Sequence, residues 1–175
     1  MTLTPTEQLT QLVTNGYFLT DVTELLPSVD INHCEFHQRP SGIADPDPND
    51  PIFSRLEILQ NTVGEKIITP LFGSYQAGTA RIWNQTDEAS TEWHNDYVEG
   101  YNLFVLIYFD ILTPGLGGQI HIRNPQGQVF THLPTRGDCL FVNLKQGYDH
   151  RVDHTRPRTA TRRVANFCYN VPLLG

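Results

Sequence analysis

Long apolar runs and clustered cysteines are both absent from this sequence. None of its 175 residues lies in an apolar stretch long enough to cross a bilayer, and the N-terminus has no signal-like apolar core. Its three cysteines, Cys34, Cys139 and Cys168, are odd in number and form no Cys-x-x-Cys pair. This pattern favours free thiols in a reducing compartment, so we expect a cytoplasmic protein without a membrane partner.

Positive charge is also scarce. The chain has 12 Lys and Arg against 19 Asp and Glu, which gives a net charge of −7. It contains no long basic run, and this argues against a protein that follows a nucleic-acid backbone. Apolar residues make up 39% and charged residues 18%, which is typical of a globular chain. The length predicts a single domain over residues 1–175.

The N-terminal part of the chain predicts helices. Residues 4–7, Thr-Pro-Thr-Glu, have the features of a helix start, and Asn15-Gly16 ends that helix. Residues 17–19 are a short strand candidate, and residues 21–26 predict a second short helix. The main helix starts near residue 50, and its apolar residues recur at helical spacing at Ile52, Phe53, Leu56, Leu59, Val63 and Ile67.

Residues 38–51 form a Pro- and Asp-rich stretch between these helices. It is too long for a simple turn, so we interpret it as either a lid or a mobile surface loop. After Pro70 the sequence changes to short segments rich in β-branched and aromatic residues, separated by turn signals. The segments cover roughly residues 75–84, 91–97, 102–111, 119–123, 128–132, 138–143, 148–154 and 162–171.

About eight short strands in a row predict an antiparallel sandwich or jelly roll. We therefore expect a mainly β fold with N-terminal helices, an α+β chain. Residues 71–175 would form the β core, and residues 1–70 a helical support and lid region.

His94 and Asp96 are candidate metal ligands. They stand one residue apart in a predicted strand, so their side chains point to the same face. His150 is a candidate third ligand, and His154 competes with it because it would share the same face of an unbroken strand. Two histidines and one carboxylate leave three positions open on the metal, an arrangement that non-haem Fe(II) oxygenases use.

Two cations, Arg162 and Arg163, enter an otherwise apolar last strand. Alternation sends one of them inward, where a buried guanidinium must be paired. A dicarboxylate ligand would supply the partner, and so would one of the chain's own carboxylates. Tyr108 lies inside another apolar strand, and its hydroxyl group also needs a partner if it is buried.

The order of these motifs resembles that of the Fe(II)- and 2-oxoglutarate-dependent dioxygenases, and the prolyl-4-hydroxylase-like branch is the most similar. In chain order the shared motifs are His94-x-Asp96, Leu106–Asp110 with Tyr108, Gly117-Gly118 before a strand, Gly137–Phe141, His150-x-Val152 and Arg163-x-Ala165. The resemblance covers roughly residues 75–171. It implies a double-stranded β-helix, the jelly-roll or cupin-like fold.

The resemblance also implies roles for individual residues. His94, Asp96 and His150 resemble the catalytic iron ligands, while Arg163 and Tyr108 resemble the residues that bind the distal carboxylate of 2-oxoglutarate. The His-x-Val pattern favours His150 over His154. The spacing from His150 to Arg163 is a few residues longer than is usual in that branch, so His154 and Arg162 stay open as alternatives.

The implied activity is that of an oxidoreductase that uses Fe(II), 2-oxoglutarate and O2 and releases succinate and CO2. It would hydroxylate a C–H bond of an amino acid, of a peptidyl residue such as proline, or of a small metabolite. Residues 163–168 do not match the Arg-x-Asn-x-Thr-x-Arg signature of the family's nucleic-acid demethylases. The alternatives are a non-enzymatic, cupin-like metal-binding module and an iron oxygenase that does not use 2-oxoglutarate.

Two further features have a simpler interpretation. The segment His33–His37 contains histidine and cysteine but too few ligands for a closed zinc site, so we assign it a structural or incidental role. Trp93 stands next to a candidate ligand, and we expect it in the core. The sequence indicates neither the substrate nor the oligomeric state.

Overall fold

The computed structural model of the protein describes residues 3–38, 43–85, 92–96, 100–144, 148–154 and 161–172. Its helical elements are α1 (Pro5–Asn15), a 3₁₀ helix (Thr23–Ser28), α2 (Ile52–Val63), a π-helical turn (Gly64–Ile68) and α3 (Thr69–Phe72). Its strands are β1 (Tyr17–Asp21), β2 (Phe36–Gln38), β3 (Ile43–Pro46), β4 (Gln76–Gln85), β5 (Leu103–Tyr108), β6 (Ile120–Arg123), β7 (Val129–His132), β8 (Asp138–Asn143), β9 (Asp149–Val152) and β10 (Arg163–Asn170).

These strands form two antiparallel sheets. The larger sheet has the order β1-β8-β5-β10-β4-β3-β2, and the smaller sheet has the order β7-β6-β9. Strands that are distant in sequence lie side by side, as β10 does between β4 and β5. The predicted mainly β jelly roll with N-terminal helices is therefore confirmed.

Two layers of core lie on opposite faces of the larger sheet. One core packs the helices against the sheet and includes Leu56, Leu59 and Phe167. The other lies between the two sheets and includes Phe104, Ile120 and Leu140. Strand β5 is buried at every residue because both of its faces are covered. This explains why its sequence is continuously apolar rather than alternating.

The start of α1 confirms the sequence prediction in detail. Thr4 is the N-cap, its hydroxyl accepts a hydrogen bond from the Glu7 backbone N–H, and the Glu7 carboxylate accepts one from the Thr4 N–H. Gly16 follows the helix with φ of +81°, a left-handed conformation that glycine adopts without strain. The chain then turns directly into β1, which pairs with β8.

Seven of the eight predicted segments after Pro70 contain strands, but the segment 91–97 does not form one. Residues 92–96, its described part, make only an isolated bridge through His94. The loop prediction for residues 38–51 is also wrong in part, because β3 occupies Ile43–Pro46 and pairs with β4. The N-terminal part is thus not purely helical, since it adds β1, β2 and β3 to the larger sheet.

Residues 39–42 of the candidate lid lie outside the described residues, so the lid stays a prediction. The assignment of one domain to the whole chain also stays a prediction. In the part of the chain that the structure describes, no helix combines the length and the apolar character needed to span a membrane.

Candidate metal centre

Three side chains with metal-binding atoms meet beside the core that lies between the two sheets. They are His94, Asp96 and His150, and their candidate ligand atoms all lie within 4.8 Å of one another. The Nε2 atom of His94 is 3.4 Å from Asp96 Oδ1, and that of His150 is 3.3 Å from Asp96 Oδ2. Two imidazoles and a carboxylate at these separations are a donor set for a divalent transition metal.

The backbone brings His94 to His150 directly. The His94 N–H donates to the His150 carbonyl over 3.0 Å, and the His150 N–H donates to the His94 carbonyl over 2.8 Å. This reciprocal pair places both histidines opposite each other, with ring centroids 4.3 Å apart. Asp96 follows His94 by two residues and points the same way, which is the relation that the sequence pattern predicts.

The ring of His94 is oriented by its own segment. Its Nδ1 atom lies 2.7 Å from the Glu92 carbonyl oxygen. Because a carbonyl can only accept, the proton of the neutral ring sits on Nδ1 and leaves the Nε2 lone pair facing Asp96. The histidine is therefore held in the tautomer that a metal requires at Nε2.

Trp93 anchors this segment to the outer face of the smaller sheet. The guanidinium carbon of Arg123 lies 4.5 Å from the Trp93 ring centroid, and that of Arg151 lies 5.3 Å from it. Arg123 is itself held by Asp149, with 2.6 Å between Nη2 and Oδ2. Trp93 is partly exposed and belongs to neither core. The expectation that it is a core residue is wrong, and cation–π contacts hold it instead.

The Asp96 carboxylate is ionised under ordinary conditions. Burial by itself raises the pKa of this group, but the hydrogen bond from His150 and the electrostatic attraction of His150, His94 and Arg81 outweigh it. The pKa of Asp96 therefore lies below its usual value. An anionic ligand between two imidazoles is the protonation state in which the group can coordinate a cation.

A cavity of about 170 Å³ begins at these three side chains and runs between the sheets. Its wall is mostly apolar and consists of Trp83, Gln85, His94, Asp96, Phe104, Leu106, Ile120, His150, Val152, Arg162 and Val164. Arg162 is the one cationic side chain in this set. The cavity therefore has candidate metal ligands and a guanidinium in a single apolar enclosure.

Arg162 is 3% exposed, and its hydrogen bonds to the described residues are with neutral groups. Its Nε donates to the Gly118 carbonyl over 3.1 Å, and its Nη1 donates to Gln85 Oε1 over 2.7 Å. Burial lowers its pKa, yet a guanidinium stays charged at neutral pH. Among the described residues, no carboxylate lies within ion-pair distance of Arg162, so the cavity contains a buried cation in need of an anion.

Gly118 can reach Arg162 because of the turn that precedes β6. Gly117 and Gly118 have φ of +81° and +79°, two successive left-handed residues that side chains larger than hydrogen would strain. The Gly118 N–H also donates to the Asp153 carbonyl, which joins the turn to the end of β9. The glycine pair found in the sequence thus supports the guanidinium.

Tyr108 is not among the lining residues of the cavity, but its side chain belongs to the core between the sheets and lies beside Arg162. The Arg162 guanidinium carbon is 5.1 Å from the Tyr108 ring centroid, and the tyrosine is 1% exposed. Burial raises the pKa of Tyr108 to about 12, although the Arg162 charge acts in the opposite direction. In the described part of the chain, its hydroxyl group has no hydrogen-bond partner. Such a buried hydroxyl is costly unless a ligand completes it.

Arg163, which the sequence resemblance assigned to the cosubstrate, points to the opposite face of the larger sheet. Its Nη2 lies 2.6 Å from Asp110 Oδ1, and its Nε is 3.1 Å from both Asp110 oxygens. The structure therefore does not bring Arg163 into the cavity. It brings in Arg162, the alternative that the sequence left open, because residues 162 and 164 share one face of the strand.

The other sequence candidates lie apart from the metal ligands. His154 follows the end of β9 and is exposed, and it is not a member of the three-residue group. His33 pairs with Asp30 at 3.4 Å on the surface, 86% exposed. Neither Cys34 nor His37 joins a group of three metal-binding side chains among the described residues.

Sequence reasoning missed the polar residues that β4 contributes. Gln85 binds Arg162, and Arg81 and Thr79 line a second, open groove of about 450 Å³. This groove shares Trp83, Asp96 and Phe104 with the first cavity and so adjoins the metal ligands. The sequence pattern that could have identified them is the odd-numbered series from Thr79 to Gln85, because alternation places these side chains on one face of the strand.

The two-sheet architecture is that of a double-stranded β-helix, the fold found in 2-oxoglutarate- and Fe(II)-dependent oxygenases. No protein-family model matches the sequence, and no curated protein is significantly similar to it. The likeness to solved structures covers nearly the whole chain, and it shows the fold.

Three solved structures illustrate this likeness. A 2OG-Fe(II) oxygenase family oxidoreductase from Burkholderia pseudomallei has a TM-score of 0.70 at 15% identity, covering 96% of this chain and 91% of its own. A prolyl hydroxylase from Trichoplax adhaerens, in complex with a peptide of hypoxia inducible factor, has 0.68 at 17%, covering 97% and 90%. HygX from Streptomyces hygroscopicus, with nickel and 2-oxoglutarate bound, has 0.69 at 14%, covering 97% and 87%.

Proposed function

We propose that this protein is an Fe(II)- and 2-oxoglutarate-dependent dioxygenase that hydroxylates a C–H bond. His94, Asp96 and His150 would hold the iron, and Arg162 would bind the distal carboxylate of 2-oxoglutarate. The residues fit this pair of groups, since the donor set suits Fe(II) and the cavity provides a cation for a dicarboxylate. When bound, the iron and its cosubstrate supply the oxidative chemistry through which O2 oxidises the substrate.

The observation that carries the proposal is the state of Arg162. A guanidinium that is 3% exposed and has only neutral partners among the described residues is expensive to keep in a protein. Its position in the same cavity as the two histidines and Asp96 suggests that this buried charge serves to bind an anion beside the metal. A dicarboxylate with one end at the metal and the other at Arg162 would supply the missing anion.

The chain's own contribution to catalysis is positioning and exclusion of water. Gln85 and the Gly118 carbonyl hold the guanidinium in one orientation, which reduces the ordering cost of binding a planar carboxylate. Leu106, Ile120 and Val164 supply apolar walls that keep water from this ion pair. In such an enclosure the attraction between guanidinium and carboxylate is stronger than in water.

Tyr108 is proposed as a second donor to the same carboxylate. Its buried hydroxyl group has no described partner and stands beside Arg162. A carboxylate that approaches the guanidinium can accept from the hydroxyl group as well, and this would satisfy a donor that is otherwise lost. The substrate is proposed to be a small molecule or a peptidyl residue and to enter through the open groove beside Asp96.

An anaerobic titration tests the proposal. Apo protein is titrated with Fe(II) and then with 2-oxoglutarate, and the weak visible charge-transfer band of the chelated cosubstrate is recorded. We expect the band in the wild type and its loss at moderate cosubstrate concentration in Arg162→Gln, while Arg163→Gln retains it. Iron binding without the band in the wild type would instead support a cupin-like metal-binding module or an oxygenase without 2-oxoglutarate.

A turnover assay provides an independent check. Succinate formation from 2-oxoglutarate is measured in the presence of Fe(II) and O2. Asp96→Ala removes the only anionic ligand of the three and should abolish turnover, and full turnover in this variant would overturn the metal assignment.

A further inference from the structure

The open groove beside Asp96 contains a pair of polar side chains that the proposed iron and cosubstrate sites do not use. Arg81 on β4 and Asn166 on β10 are directly opposite each other in the antiparallel register. Both line the groove, and so do Trp83 and Asp96 next to the metal ligands. A substrate in this groove would therefore contact Arg81 and Asn166 while it lies beside the metal.

Asn166 is 7% exposed although it carries a full amide group. Its Oδ1 has a weak contact, 4.0 Å, from the Cys168 thiol, and its Nδ2 has no partner among the described residues. The Asn166 amide group lines the groove, and its Nδ2, which makes no hydrogen bond to another described residue, can donate to a ligand acceptor there. Asn166 sits in the central strand β10, so its position is fixed by pairing on both sides.

Arg81 contributes a cation beside this amide. Its guanidinium is exposed in the groove, and no carboxylate of the described residues forms an ion pair with it within 4.0 Å. Arg81 and Asp96 line the same groove, so their opposite charges attract each other across it. When a metal ion occupies the site, the Asp96 charge is taken up by the metal, and Arg81 then lacks a counter-charge among the described residues.

Charge balance favours an anionic substrate. Fe(II) with its Asp96 ligand would have one net positive charge, and Arg162 and Arg81 each add one more. Dianionic 2-oxoglutarate would compensate two of these three charges and leave one. A substrate with one carboxylate would neutralise the remainder in a site that is partly closed to water. A guanidinium in register with an amide N–H is also suited to the two oxygens of a carboxylate.

From this arrangement we propose that the substrate carries a carboxylate bound by Arg81 and Asn166, as in a free amino acid or another small carboxylic acid. The inference rests on the proposed function, because it concerns the acceptor of the same oxygenase site. The groove volume of about 450 Å³ accommodates a small molecule. The carbonyl groups of a peptide without a carboxylate near its reactive carbon could accept hydrogen bonds from Arg81 and Asn166, but such a peptide would supply no counter-charge for Arg81.

The test uses the full chain loaded with Mn(II) and saturated with 2-oxoglutarate, which occupies Arg162. The probes are L-amino acids and N-acetyl-L-amino acids, each compared with its own carboxamide. Melting temperature is measured as a function of probe concentration, since a ligand selective for the folded state raises it. We expect at least one free acid to bind about tenfold or more tightly than its carboxamide, as a charge-assisted contact requires.

Two variants and a control make the result specific. Arg81→Gln should reduce the preference for the acid to about twofold or less, whereas Arg81→Lys, which keeps the charge without the planar fork, should retain part of it. Lys66→Gln removes a cation that pairs with Glu24 on the helical side, and it should retain the full preference. Equal binding of acids and carboxamides across the panel, or an unchanged preference in Arg81→Gln, would overturn the inference.

The failure of this inference is distinguishable from that of the proposed function. The charge-transfer band of the wild type with Fe(II) and 2-oxoglutarate needs no substrate. If the charge-transfer band is present but free acids bind no more tightly than their carboxamides, only the carboxylate site is refuted. That result would favour a peptidyl or neutral substrate. Absence of the band refutes the oxygenase assignment itself.

Discussion

At the scale of single residues, two adjacent arginines have opposite environments. Arg162 lies in an apolar cavity without an anion among the described residues, and Arg163 is locked to Asp110 on the other face of the sheet. The difference follows from strand alternation, which gives neighbours in sequence different surroundings. Because the two arginines lie on opposite faces of the sheet, a substitution at Arg163 is a matched control for the same substitution at Arg162.

We predict that Arg162→Gln weakens 2-oxoglutarate binding by about ten- to a hundredfold, since a charged hydrogen-bonded contact is worth about 1.5–3 kcal/mol. Arg163→Gln should leave that affinity within about twofold but lower the free energy of unfolding by ~1–3 kcal/mol, because Asp110 loses its partner. Isothermal titration of the Mn(II)-loaded protein and urea unfolding measure the two effects. Weaker cosubstrate binding in Arg163→Gln alone would reverse our assignment.

Tyr108 offers a second prediction at this scale. In the metal-free protein, Tyr108→Phe should leave the free energy of unfolding unchanged or raise it by up to ~1 kcal/mol, because a buried hydroxyl group without a partner is removed. The same variant should bind 2-oxoglutarate about three- to tenfold more weakly. A large loss of stability in the apo protein would show that the hydroxyl group already has a partner, and unchanged cosubstrate affinity would exclude its role as donor.

At the scale of elements, the segment from Glu92 to Asp96 is held in place although it does not form a strand. It carries two of the three candidate ligands, and its described backbone pairing is the single bridge between His94 and His150. Trp93 compensates by stacking between Arg123 and Arg151 on the smaller sheet. The Asn95 side chain adds a hydrogen bond of 2.9 Å to the Tyr148 carbonyl. Side-chain contacts thus hold this segment in place, as backbone hydrogen bonds hold the regular strands.

We predict that Trp93→Ala weakens Mn(II) binding by about tenfold, because two cation–π contacts worth ~0.5–1 kcal/mol each no longer hold the ligand segment. Trp93→Phe keeps an aromatic face and should recover part of the affinity. Ile111→Ala, which shortens a side chain that is 74% exposed, is the control. Electron paramagnetic resonance of free Mn(II) gives the dissociation constants. Equal affinity in all three variants would mean that the bridge to His150 suffices.

At the scale of the whole molecule, the site joins the two sheets. His150 belongs to the smaller sheet, whereas Arg162 precedes a central strand of the larger one. Ligands that bind His150 and Arg162 at once therefore connect the two layers of the jelly roll. Such ligands bind the folded state alone, because the unfolded chain separates these residues, so they must raise the melting temperature.

We predict a rise in melting temperature with Mn(II), and a further rise when 2-oxoglutarate is added to the metal-loaded protein. At a concentration one hundred times the dissociation constant, a ligand contributes about 2.7 kcal/mol to stability. His150→Ala should abolish the metal-dependent rise, and His154→Ala, four residues away and exposed, should preserve it. The reverse pattern in the two variants would assign the third ligand to His154.

The sequence by itself determined the local parts of this protein. The capped start of α1, the short strands after Pro70 and the pair His94 and Asp96 are all readable because they depend on neighbours a few residues apart. The fully apolar β5 was readable as a strand for the same reason. The motif order also favoured His150 over His154, although alternation alone treats both histidines alike.

Only the tertiary structure decided which arginine enters the cavity, that Trp93 lies outside the core, and that β3 joins the sheet beside β4. Each of these depends on how strands from distant parts of the chain pair and which face each residue then shows. Shifting a strand by one residue exchanges its two faces, and nothing local in the pair Arg162 and Arg163 fixes that choice. Pairing of the strand that begins at Arg163 with β4 and β5 fixes it.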